Sequence, residues 1–225
     1  MNISKSLIRC LCSVGFLLGW TIPFGISTCA AEIPGYPASI DAYDPREVAM
    51  LPRYCIYTQS FRGSVPGGNN PAEVKHWYVV MGETFNHMHH YCWGLMKTNR
   101  AVILARSRQD RQFYLGDAIS EFDYVIERAP SNFVLLPEIF TKKGDNLLRL
   151  GKTAQGITEL QRAIELKPDY WPPYEAISDH HKTAGDIAKA REVLEKALSF
   201  SPESKSLKRR LTELEVATDK RKLPQ

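Results

Sequence analysis

Two stretches of this chain repeat one another at a distance of 34 residues. Pro168 closes Ile164-Glu165-Leu166-Lys167-Pro168, and Pro202 closes Leu198-Ser199-Phe200-Ser201-Pro202. Gly156, Leu160 and Ala163 stand 12, 8 and 5 positions before the first proline; Ala190, Leu194 and Ala197 stand at the same offsets before the second. Further back, Phe140, Gly144 and Leu147 match Tyr174, Ser178 and His181. Each period reads as a pair of helices. A small residue lets the two approach closely, large residues fill the space opposite, and proline ends the second helix. Such units bury their apolar faces only against one another, so they stack into an array.

The aromatic, small and proline positions of residues 137–170 and 171–204 resemble the tetratricopeptide repeat. The resemblance implies an all-α helical solenoid. Ala118, Phe122, Val125 and Pro130 reproduce the second helix of a third, degenerate unit, with four extra residues between Pro130 and Pro168. Its first helix is expected within one long helix from Thr84 to about Arg106, followed by an irregular linker over Ser107–Tyr114. Two positions depart from the family pattern: Lys143 stands where leucine is usual, and Gly156 where alanine is usual. Leu207, Leu211 and Leu214 recur at helical spacing and predict an amphipathic helix over 205–217 that caps the array. Residues 218–225 read as a frayed tail.

The other end of the chain carries a different signal. Lys5 and Arg9 precede an apolar run from Leu11 to Ile26, and Ser27, Thr28, Cys29, Ala30 and Ala31 follow it. Basic, then apolar, then small is the order of a secretory signal peptide, so residues 1–31 are expected to be removed on export. Pro23 and Gly25 break the run, which argues against a permanent transmembrane anchor. Ile26-Ser27-Thr28-Cys29 resembles a bacterial lipobox, which would put a lipid on Cys29; Thr28 departs from that pattern. A periplasmic location follows as the expectation.

Removal changes two counts. Lys+Arg falls from 29 to 27 against 25 acids, so the formal charge falls from +4 to +2. That is too mild to argue for a nucleic-acid partner. Five cysteines become two, Cys55 and Cys92. An even pair in an exported chain suggests one disulfide, with two buried thiols as the alternative.

Residues 32–83 form a Pro/Gly-rich module in which only short elements fit. Asp44-Pro45 opens one or two helical turns. Asn70, with Pro71 and Glu73 after it, opens a helix that Gly82 should stop. Residues 84–136 then hold the long helix and the degenerate repeat.

The densest chemistry-bearing stretch is His87-Met88-His89-His90-Tyr91-Cys92. His87, His89 and His90 could bind a soft or borderline metal, as in a metal- or haem-handling protein. Adjacent helical side chains diverge, however, and neither HExxH nor CxxCH occurs. A structural role for these histidines is the reading adopted, with no metal and no cofactor. No catalytic motif is present, so the chain is read as a non-enzyme.

What remains is the groove of the array. The resemblance implies a concave face built from first helices, with Glu138, Thr141, Lys142, Asp145, Leu148 and Arg149 in one repeat and Glu175, Asp179, Lys182 and Thr183 in the next. Mixed charge around Leu148 suits a protein or peptide partner. The set lacks the lysine/asparagine arrangement of the carboxylate-clamp subgroup. The chain is therefore expected to be an exported adaptor that assists assembly of an envelope or secretion complex.

Overall fold

The computed structural model describes residues 44–222, with side chains described to residue 216. The expected signal peptide, Cys29 and residues 32–43 lie outside the described residues. Nine α-helices run through the described part: α1 (Pro45–Ala49), α2 (Pro71–Met81), α3 (Met88–Asn99), α4 (Arg108–Ile126), α5 (Leu136–Arg149), α6 (Thr153–Leu166), α7 (Pro172–Thr183), α8 (Ile187–Phe200) and α9 (Lys205–Lys222). Among the described residues there is no strand, and no helix is long and apolar enough to cross a membrane.

Local chemistry sets the first two helices. The Asp44 carboxylate accepts the Arg46 N–H, and the Asn70 side chain accepts the N–H groups of Ala72 and Glu73. Each thus satisfies donors that the first helical turn leaves open, and each precedes a proline, which has no N–H to satisfy. Gly82 ends α2 at φ 61°, in the left-handed region that a side chain would resist.

The long helix expected over 84–106 is three pieces. A 3₁₀ segment covers Gly82–His87, α3 follows, and a π turn covers Arg100–Leu104. The π turn ends when the Ala105 N–H bonds the Arg100 carbonyl and the backbone becomes extended at Ala105. The expected linker over Ser107–Tyr114 is also corrected. The Ser107 hydroxyl accepts the Asp110 N–H at 3.0 Å, so Ser107 caps α4, which begins at Arg108. At the other end α9 runs to Lys222, five residues beyond the expected cap.

The helices pack in sequential pairs: α3 with α4, α5 with α6, α7 with α8, and α9 against α8. Close approach is what the small residues provide. A Cβ on Gly144 would sit 2.7 Å from Leu160 Cγ and 2.9 Å from the Gly156 carbonyl; one on Gly156 would sit 2.9 Å from the Gly144 carbonyl. The two backbones touch here, which accounts for glycine at position 156.

The same contact exposes the register of the degenerate unit. A Cβ on Gly94 would sit 2.3 Å from Phe122 Cε1. Gly94 therefore meets Phe122 as Gly144 meets Leu160. From Gly94 to Ala118 is 24 residues, whereas Gly144 to Gly156 is 12. The first repeat thus holds its extra residues inside the helix pair, where the π turn and the first part of α4 take them up.

Lys143, the other departure, is half-buried among carboxylates. Its Nζ lies 2.7 Å from Asp123 Oδ1 and 2.9 Å from Glu159 Oε1, joining α4, α5 and α6. Burial opposes its charge, but the two carboxylates outweigh burial and hold its pKa above the ordinary lysine value.

Candidate binding groove

Counting from Gly144, the groove positions expected on α5 lie at −6, −3, −2, +1, +4 and +5. The same offsets from Gly94 give Met88, Tyr91, Cys92, Leu95, Thr98 and Asn99. Met88, Tyr91, Cys92 and Leu95 are all buried. They share one apolar cluster with Leu51, Tyr54, Cys55, Tyr57, Phe61 and Met81 of the Pro/Gly-rich module. That module therefore packs over the first-repeat end of the groove. Cys55 and Cys92 form a disulfide across this junction, with Cα atoms 5.7 Å apart. The buried pair Glu47–Arg100 adds a second tie.

The covered segment is wired to the next repeat. The Tyr91 hydroxyl donates to Glu138 Oε1 at 2.6 Å, and Asn146 Nδ2 donates to Thr98 Oγ1 at 2.7 Å. Burial, with the nearby Glu138 and Tyr170 adding to it, pushes the Tyr54 hydroxyl far above the usual phenol range. Glu138 is thus an internal acceptor. The sequence placed this helix within 84–106 but not its register, because its small residue, Gly94, stands 24 rather than 12 positions before Ala118. The signal that could have found it is the run Met88, Tyr91, Cys92 and Leu95 at helical spacing.

The other expected groove residues divide into several kinds. Thr141 is buried and donates its hydroxyl to the Pro137 carbonyl at 2.7 Å, so it faces the helix rather than a partner. Leu148 lies over Gly156, inside the α5–α6 pair. Glu175 and Asp179 are bound by Arg210 of α9, the latter at 3.4 Å. Thr183 donates to the Asp179 carbonyl. Lys182 is half-buried beside Arg210 and Glu213. Lys142 and Arg149 are exposed, and Arg149 pairs with Asp145 at 2.8 Å. These last three form the open polar surface of α5. An apolar cleft of about 440 Å³ lies elsewhere, between Ile126, Leu136, Phe140, Arg162 and Leu166, and no expected groove residue lines it.

The histidines are held individually. His90 Nδ1 lies 2.6 Å from Glu121 Oε2, and its ring stacks on Tyr124 at 3.6 Å. His87 meets the edge of Tyr124, and His89 the edge of Trp93. Cys92 is consumed by the disulfide. Among the described residues no three His, Cys, Asp or Glu side chains are placed to share an ion.

Burial, reinforced by the neighbouring His90, lowers the His89 pKa from 6.5 to about 4. The unfolded chain therefore takes up this proton at higher pH than the folded chain. Stability should fall as pH drops through 6.5 and level off, for this group, below about 4. Melting temperatures across that window should decline less steeply in His89→Phe. An unchanged slope in the variant would assign the acid sensitivity to other groups.

Comparison with known proteins agrees with the geometry. The sequence model of the tetratricopeptide repeat matches residues 137–170 and 173–204. The Protein STIP1 homolog of Dictyostelium discoideum is 31% identical over 109 residues, covering 48% of this chain and 19% of that protein. The Hsp70-Hsp90 organizing protein of Triticum aestivum is 27% identical over 116 residues, covering 50% and 19%. The chain thus spans about a fifth of the length of these curated relatives. A solved structure described as the first TPR of Spaghetti (RPAP3) bound to the HSP90 peptide SRMEEVD is 17% identical, over 57% of this chain and 98% of that one, with a TM-score of 0.39. Residues 137–170 and 173–204 of this chain are thus matched as two tetratricopeptide repeats.

Proposed function

We propose that this chain is a non-catalytic adaptor that holds an acidic protein or peptide segment along α5 and α7, and that it works after export, in assembling an envelope or secretion complex. The observation that carries the reading is the divided groove. Its first-repeat end is filled by the protein's own Pro/Gly-rich module, while Lys142, Asp145 and Arg149 stay open on the second repeat. The repeats supply the binding surface, the two exposed cations supply its preference, and the signal-like order of residues 1–31 supports export.

The name of the Triticum aestivum relative connects that protein with Hsp70 and Hsp90. On this chain Lys97 and Lys143 are engaged by internal carboxylates, so neither is left for a ligand. The proposed partner is accordingly defined by its charge alone.

Lys142→Glu with Arg149→Glu should remove most of the partner recovered by crosslinking and co-purification from the native envelope. The melting temperature should change little, because both side chains are exposed. Full partner recovery in the double variant would show that this face is not the binding site. Recovery of the protein only from the cytoplasmic fraction would overturn the exported role.

A further inference from the structure

We propose that the turn joining α3 to α4 is a membrane-surface docking patch, fitted to a bilayer face rich in anionic headgroups. The π turn buries Arg100 and Ala101 and presents its three following aliphatic residues outward. Ala101 is buried and Ala105 half-buried, against Tyr114, Leu115 and Leu150. Val102, Ile103 and Leu104 are exposed by 52, 59 and 52%. Phe113, one turn into α4, is exposed by 44%. A single exposed aliphatic side chain is ordinary, but three in succession at the tip of a turn form a contiguous apolar surface.

A cationic collar surrounds that tip. Arg106, Arg108 and Arg111 are exposed, and none has a carboxylate within ion-pair distance among the described residues. Leu150 packs on the same cluster as Ala105, so the α5–α6 turn lies alongside, and exposed Lys152 belongs to it. Asp110 is the acid inside the stretch from residue 102 to 113, and its backbone N–H is committed to the Ser107 cap.

Apolar side chains enter the headgroup region while guanidinium groups meet phosphates at its surface, so tip and collar reinforce each other at one interface. The charge complementarity selects an anionic lipid face as the occupant. Repeat architecture explains how the patch is possible. The extra residues of the first repeat gather in this turn, where Ala101 and Ala105 pack beside Leu150 and leave the aliphatic tip outside that cluster.

Hydrogen exchange of the full chain, read over residues 100–113, tests this with two kinds of vesicle: phosphatidylcholine alone, and phosphatidylcholine with phosphatidylglycerol. A local readout is required because the apolar run at residues 11–26 could bind vesicles itself. Exchange over 100–113 should slow several-fold with the anionic vesicles. The slowing should vanish in 0.5 M salt and in Arg106→Glu/Arg108→Glu/Arg111→Glu, and Val102→Ser/Ile103→Ser/Leu104→Ser should abolish it at low salt. Exchange over 137–204 reports whether each variant remains folded. Unchanged exchange over 100–113 while the chain binds vesicles would overturn the proposal. So would equal slowing with neutral vesicles, or slowing caused only by an added protein fraction.

Discussion

Glu47→Ala should cost about 3–5 kcal/mol of stability, although Glu47 lies in a helix of only five residues. Its carboxylate receives the Arg100 guanidinium through two nitrogens, Nη2 at 2.7 Å from Oε2 and Nε at the other oxygen. Arg100 is 2% exposed and Glu47 7%. Removing the carboxylate would take the two-point partner from a desolvated guanidinium at the end of α3, and that penalty, rather than the lost attraction, makes the effect large. Against a typical domain stability of about 5–15 kcal/mol this is a substantial fraction.

Two controls separate this account from generic damage. Glu127→Ala removes the partner of Arg128 in an exposed pair and should cost at most about 1 kcal/mol. Glu47→Leu with Arg100→Met should recover much of the loss, because no buried charge is then left alone. Urea unfolding measures all three. A loss below about 1 kcal/mol for Glu47→Ala would mean that Arg100 is held by other groups.

The parts of this fold that could be read in advance are those where one short-range rule dominates. The N-caps Asp44 and Asn70 were legible because a cap, a proline and an acid stand at fixed offsets. Helices α5 to α8 were legible because two copies of one pattern reinforce each other. The two helices of the first repeat were legible but their register was not, because it follows the same contact rule at a different spacing. Gly94 against Phe122 is the contact of Gly144 against Leu160, but twelve extra residues hide it from a period of 34.

The groove was hard to read for another reason. Position within a repeat tells which face a residue occupies, not what already covers that face. Thr141 is satisfied within its own helix, Glu175 and Asp179 are claimed by Arg210, and Glu138 by Tyr91. Each of these ties joins residues at least four positions apart, three of them across different helices, so no local pattern announces it. Lys143 reverses the lesson: a lysine that looks misplaced in one helix is explained by carboxylates on two others.

Cys55→Ser should lower stability by about 4 kcal/mol and should do so unevenly. The bond spans 37 positions, and the chain-entropy account of a cross-link gives about that magnitude for a loop of this length. Both cysteines are fully buried, between a module poor in regular structure and the first-repeat face it covers. Helices α5 and α6 meet through Gly144 and Gly156, and α7 and α8 through Ser178 and Ala190, contacts that do not involve the bond. Loss of the cross-link should therefore raise hydrogen exchange over residues 51–82 and over α3 far more than over 137–204. The same loosening would uncover Met88, Tyr91 and Leu95, lengthening the groove by one repeat, so a partner that needs only α5 and α7 should still bind. Cys92→Ser should reproduce the whole pattern, and the double variant should add little to either single one. Alkylation of the folded protein without reductant gives the most direct reading. Peptides carrying unlabelled Cys55 and Cys92 are expected, and label on both would remove the cross-link and with it the predicted asymmetry.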